Sequence, residues 1–174
     1  MNEKTIRNLA IALVVMLAVY GLLRWQQNRT FEPAKPGGFN FKQITKKNTD
    51  RIKVKGSQNY TLIKKGDKWL LNNKKVDKDA IDELFNGLKE AEVEQLVSTK
   101  TEKMVSLQVD DKTGNTVTFS TKDNQYIYII GKQGPDGVSF YTRRPKENKV
   151  YSAKGNLGSI FAKKASDWYE KKKK

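Results

Sequence analysis

Cysteine and histidine are both absent from this 174-residue chain. Without thiols there can be no disulfide, no thiolate nucleophile and no iron–sulfur ligation. A zinc site would lack both of its usual ligand types, and the commonest general base near neutral pH is missing as well. Acidic charge is scarce: Asp+Glu supply 19 residues against 34 Lys+Arg, a formal net charge of +15. Such an excess serves solubility or draws the chain toward anionic partners such as lipid headgroups, wall polymer or nucleic acid. What is present is ordinary for a folded body, with charged residues at 30% and aromatics at 10%.

The apolar residues are unevenly placed. Residues 9–23 read LAIALVVMLAVYGLL, with no charge and Tyr20 as the one strong hydrogen-bonding side chain. A bilayer-spanning helix needs roughly 20 apolar residues, and Ile6 and Trp25 extend the run toward that length. The spanning set would be Leu9, Ile11, Leu13, Val14, Val15, Met16, Leu17, Val19, Leu22 and Leu23. Arg7, Arg24 and Trp25 would be the interfacial anchors. A cleaved secretory signal would share the basic start and apolar run, but Leu22-Leu23-Arg24-Trp25-Gln26 offers no small-residue cleavage site. A buried core helix would be expected to show a polar face. Basic residues flank the run on both sides, so charge leaves the topology open.

The chain divides accordingly: an anchor over 1–25, a linker over 26–49, a water-soluble domain over 50–170 and a basic tail over 171–174. The linker carries Pro33, Pro36, Gly37 and Gly38, with Phe31, Phe39 and Phe41 as docking points for membrane or domain. In the domain, Ile52 and Val54, then Tyr60 and Leu62, then Trp69 and Leu71 alternate with polar neighbours, as strands do. The period then changes. Ile81, Leu84, Phe85 and Leu88 form one helical stripe behind an Asp77 N-cap. Strands are expected around 93–97, at Val105-Leu107-Val109, at Val117-Phe119, over 126–130 with both faces covered, at Val138-Phe140 and at Val150-Tyr151. Leu157, Ile160, Phe161 and Trp168 mark a closing helix. The fold class is α+β: an antiparallel meander sheet packed with two helices, preceded by one transmembrane helix.

The order of these features resembles the domain of unknown function 4340 family. The matching words are Asp50-Arg51-Ile52-Lys53-Val54, Tyr60-Thr61-Leu62, Gly66-Asp67-Lys68-Trp69-Leu70-Leu71 and Leu84-Phe85-Asn86-Gly87-Leu88. Later come Tyr128-Ile129-Ile130-Gly131-Lys132, Phe140-Tyr141-Thr142-Arg143 and Lys149-Val150-Tyr151, the whole covering roughly residues 40–170. The resemblance implies an α+β domain on a membrane anchor in bacteria or archaea, displayed outside the cytoplasm. Some relatives look like auxiliary parts of gliding-type ABC transport systems. No reaction and no catalytic residue comes with it.

Candidate sites are sparse. Asp110-Asp111 and the Asp77/Asp79/Asp82 group are the densest carboxylates, but adjacent strand residues face opposite ways, and turn formation and capping account for both groups. Gly131-Lys132-Gln133-Gly134 reads as a hairpin turn, since no Walker pattern or following helix accompanies it. Basic pairs recur at Lys46-Lys47, Lys64-Lys65, Lys74-Lys75, Arg143-Arg144 and Lys163-Lys164. Tyr141 with Arg143 and Arg144 is the most site-like patch, a candidate for partner binding. No catalytic residue, metal ligand or cofactor is expected. The expected function is a membrane-anchored, extracytoplasmic, non-enzymatic binding or scaffold module of the cell envelope. Its partners would be the bilayer and either another envelope protein or an anionic polymer, with no specific nucleic acid and no small-molecule substrate. Alternatives are an accessory subunit of an ABC-type transport complex and an envelope enzyme working through Asp, Tyr and Lys.

Overall fold

The computed structural model describes residues 37–169, together with Leu13, Met16 and Tyr20. The chain forms two units, Met1–Ala34 and Lys35–Lys174. In the first, Leu13, Met16 and Tyr20 are helical and exposed. The other spanning and interfacial positions named above lie outside the described residues, as does the tail 171–174. Among the described residues, no helix is long and apolar enough to cross a membrane.

The second unit is built on one antiparallel sheet of nine strands in the order β4-β3-β2-β1-β6-β7-β8-β9-β5. In chain order these are β1 (Thr49–Lys55), β2 (Tyr60–Lys65), β3 (Lys68–Leu71), β4 (Lys74–Lys75), β5 (Glu92–Ser98), β6 (Asn115–Thr121), β7 (Gln125–Gln133), β8 (Ser139–Arg143) and β9 (Val150–Lys154). Three α-helices, α1 (Lys78–Glu90), α2 (Thr101–Ser106) and α3 (Leu157–Ala162), and two 3₁₀ turns, Phe41–Gln43 and Ala165–Trp168, pack against it. The expected α+β class with an antiparallel sheet is therefore what the chain adopts.

The sheet consists of two meanders placed back to back. Tight turns explain the first: Asn72 and Asn73 take φ of 50° and 61°, the pair of positive values that a two-residue hairpin turn needs. After β4 the chain enters α1, where the Asp77 carboxylate accepts the Asp79 N–H at 2.8 Å. Ile81, Leu84, Phe85 and Leu88 are buried, as their spacing predicts. The chain then runs to the far edge of the sheet, where β5 pairs with β9, and returns to set β6 beside β1. The join is stabilised by inward pairs, Ile52 opposite Phe119 and Val54 opposite Val117, all at 2% exposure or less.

The main core lies on one face of the sheet, beneath α1, α3 and the two 3₁₀ turns. The stretch assigned to the linker contributes to it. Phe41 and Ile44 are buried, and the Phe41 and Phe39 rings lie 4.7 and 5.3 Å from that of Tyr128. The folded body thus reaches back to Phe39, and these aromatics dock on the domain.

Three expectations are corrected. Val105-Leu107-Val109 is not a strand: α2 occupies Thr101–Ser106, Val105 is 59% exposed, and Met104 and Val109 are the buried residues. The apparent alternation arises because a short helix is followed by a turn, with Gln108 at φ 55° and the Val109 N–H donated to the Met104 carbonyl at 2.9 Å. The closing helix is two pieces, because Lys163 at ψ 135° breaks it between α3 and the second 3₁₀ turn. Strand β7 is covered on both sides only toward its end: Ile129 is buried but Ile127 is 38% exposed.

Candidate functional site

The second face of the sheet differs between its two halves. Over β7–β9 it is covered by α2 and the loop that follows, which bury a small cluster of Met104, Val109, Ile129 and Val150, with Leu107 and Tyr141 against it. Gly131 permits the close approach, since a Cβ there would lie 2.5 Å from the Leu107 carbonyl oxygen. Arg143 seals the arrangement at 5% exposure. Its Nε donates to the Val109 carbonyl, its Nη1 to the Glu147 carbonyl at 3.3 Å, and its Nη2 to Asp111 at 2.7 Å.

The proposed Tyr141/Arg143/Arg144 patch is thereby taken apart. The Arg143 guanidinium is spent inside the domain, Tyr141 packs on the small cluster, and Arg144 pairs with Glu147 at 2.5 Å. The carboxylate groups are also accounted for locally. Burial is the largest single influence on Asp110 and works against its ionisation, but the Thr113 hydroxyl and the N–H groups of Lys112 and Thr113 together outweigh it and hold the carboxyl below the usual aspartate range. Asp77 caps α1, and Asp82 pairs with Lys46. The Gly131–Gly134 segment is strand and hairpin: the Gly134 N–H donates to the Ser139 carbonyl at 2.7 Å. A cleft of about 500 Å³ beside α2 contains Ser98, Ser106, Lys100 and Lys103. Its hydroxyls serve the backbone, Ser106 donating to the Lys103 carbonyl and Ser98 accepting the Lys100 N–H, both at 3.0 Å. Among the described residues, no three Asp or Glu side chains converge as a metal site would require.

Over β1, β2, β3 and β6 the second face has no covering element among the described residues. Residues directly opposite in an antiparallel pair share a face. Arg51 lies opposite Ile63 and Ser120, Lys53 opposite Thr61 and Thr118, Lys55 opposite Thr116, and Lys65 opposite Lys68. Arg51, Lys53, Lys55, Lys65 and Lys68 are all exposed. They make no ion pair with any described residue. On the helix-bearing side several basic residues have internal partners, although Lys78 and Lys89 of α1 have none among the described residues. Lys46 pairs with Asp82, Lys163 with Glu83 at 2.5 Å, Lys64 donates to the Lys46 carbonyl at 2.8 Å, and the Lys74 ammonium sits 6.0 Å from the centre of the Tyr169 ring.

Adjacent basic pairs were therefore the wrong unit in which to read the charge. A strand sends neighbours to opposite faces, so Lys64 and Lys65 part company, and the i, i+2 series Arg51-Lys53-Lys55 is what accumulates charge on one side. That series was visible in the sequence, interleaved with inward Ile52 and Val54.

Such an arrangement defines a class: an α+β domain whose single antiparallel sheet carries its helices chiefly on one side and displays a basic half-face on the other. The chain belongs to the family described as domain of unknown function (DUF4340), whose model matches residues 69–173. No curated protein and no solved structure matches the chain.

Proposed function

We propose that this chain is a membrane-anchored, non-enzymatic binding module of the prokaryotic cell envelope, with its domain on the outer side of the membrane and an anionic partner as its ligand. The observation that carries the reading is the basic half-face, whose exposed side chains Arg51, Lys53, Lys55, Lys65 and Lys68 have no counter-ion among the described residues. Two like charges about 7 Å apart repel by about 0.6 kcal/mol in water before salt screening. A face of unneutralised charge is thus a modest, standing cost that an anion relieves. The apolar run at 9–23 supplies the tether, flanked by Arg7, Arg24 and Trp25 as interfacial anchors.

Fractionation and protease access test this placement. Full-length protein is expected in the membrane fraction through a high-salt wash, with the domain digested by protease added to intact cells. Recovery of intact protein in the soluble fraction, or protection until lysis, would overturn it.

A further inference from the structure

The open half-face carries basic residues on four strands, Lys75 on β4 among them, and on β1 they repeat as a series. Lys65 and Lys68 sit opposite each other on β2 and β3, Arg51 follows one step along on β1, and Lys53 and Lys55 continue down that strand. Alternate residues of a strand are about 6.8 Å apart, so the β1 charges repeat at that interval and the line extends for roughly 20 Å. Beside it on β6 run Ser120, Thr118 and Thr116, each opposite one of the β1 basic residues, so each cation has a neighbouring hydroxyl donor. An oxyanion there can take charge-assisted bonds from the cations, the stronger kind, and neutral ones from the hydroxyls.

We infer that this line is a track for a linear phosphodiester polymer without bases, laid along β1 with successive phosphates on Arg51, Lys53 and Lys55. The inference rests on the anionic-partner reading above and specifies its surface and ligand. Three observations favour this occupant. The β1 charges repeat along one strand, as a chain-like ligand requires. The spacing is close to the single-bonded reach between successive phosphates of such a polymer. The open half-face has no Phe, Tyr or Trp, so it lacks the stacking platform on which single-stranded nucleic acid is held. Ile63, its partner Leu70 and Ile127 are the apolar residues near this face, with Ile63 and Ile127 at 37% and 38% exposure.

The test uses the full-length chain in non-ionic detergent, titrated with an abasic deoxyribose-phosphate oligomer over a range of salt concentrations. Each phosphate contact steepens the fall of log affinity with log salt by about 0.7 for a single strand. The triple variant Arg51→Thr, Lys53→Thr, Lys55→Thr is expected to weaken binding at least about tenfold at low salt and to reduce that slope by about 2. Threonine keeps strand propensity, and Lys53→Thr alone gives about a third of the slope change should the triple fail to fold. Removing the same charge from the tail, with Lys172→Gln, Lys173→Gln and Lys174→Gln, is expected to leave the slope nearly unchanged. Equal losses in the two triples would overturn the track and leave the module reading standing, since binding would follow net charge alone. Tighter binding of oligothymidylate than of the abasic oligomer would overturn it in favour of base recognition. Track-dependent binding to phosphatidylglycerol vesicles without binding to the oligomer would overturn it in favour of lipid headgroups. A wild-type chain that binds none of these anions removes the module reading as well.

Discussion

One face of one sheet is treated in two ways in this molecule. Over β7–β9, α2 and its loop bury Met104, Val109, Ile129 and Val150, and a buried arginine closes the seam. Over β1–β3 and β6 the same face carries lysine, arginine, threonine and serine and is left to solvent. The two halves are continuous in hydrogen bonding, through β6 and β7, so the difference lies entirely in the outward side chains. The comparison teaches how to tell a structural cation from a binding one. Arg143 donates to carbonyls of its own chain, whereas Arg51, in an equivalent outward position on β1, has no partner among the described residues. An arginine that is buried and hydrogen-bonded belongs to stability; one that is exposed in a line of like charges belongs to recognition.

The sharpest way to break this comparison is to remove each arginine in turn. Arg143→Ala leaves three internal carbonyls and Asp111 without their donor, and hydrogen bonds to a charged group are each worth about 1.5–3 kcal/mol. A loss of about 3 kcal/mol is expected in chemical denaturation, against a change within about 0.5 kcal/mol for Arg51→Ala. Equal losses would erase the distinction. A smaller effect concerns Lys65 and Lys68, directly opposite each other on β2 and β3. Like charges so placed destabilise a sheet, so Lys68→Thr is expected to stabilise by a few tenths of a kcal/mol, to about 0.5 at most, most visibly at low salt. A destabilised variant would show that the pair is compensated. The smallest effect concerns pH. Because the folded state holds the Asp110 carboxyl below the usual aspartate range, its contribution is complete above that range and lost as pH falls through the lower folded value. Asp110→Asn should lower the neutral plateau of a stability profile slightly and flatten its acid limb, so that the two profiles converge at low pH.

Much of the fold could be read in advance where one physical signal dominated. The α1 stripe and its Asp77 cap appear as expected, because helical period and capping agree. The hairpin turn at Lys65–Lys68 follows from Gly66, which takes positive φ freely, whereas the Asn72-Asn73 turn and the two-residue β4 behind it are not among the sequence expectations. The back-to-back order of the two meanders could not be read, because β1 and β6 are joined by pairing between segments separated by more than fifty residues, which no local pattern encodes. Thr101–Ser106 was missed because one and a half helical turns followed by a positive-φ glutamine place Val105, Leu107 and Val109 at even spacing. The site was half legible. The i, i+2 basic series was present in the sequence, but the uncovered face that gives it meaning depends on where α2 lands, and the conspicuous Arg143-Arg144 pair drew attention to a buried staple.

The central claim is that the open half of the face, and not the overall charge, is where an anion sits. Amide chemical shifts of the labelled full-length protein, followed during titration with the abasic oligomer, locate the contact directly. The account predicts that the perturbed amides cluster on β1, β2 and β6, around Arg51–Lys55 and Thr116–Ser120. Perturbations concentrated on α1, α3 or the tail at 171–174, with β1 silent, would contradict it.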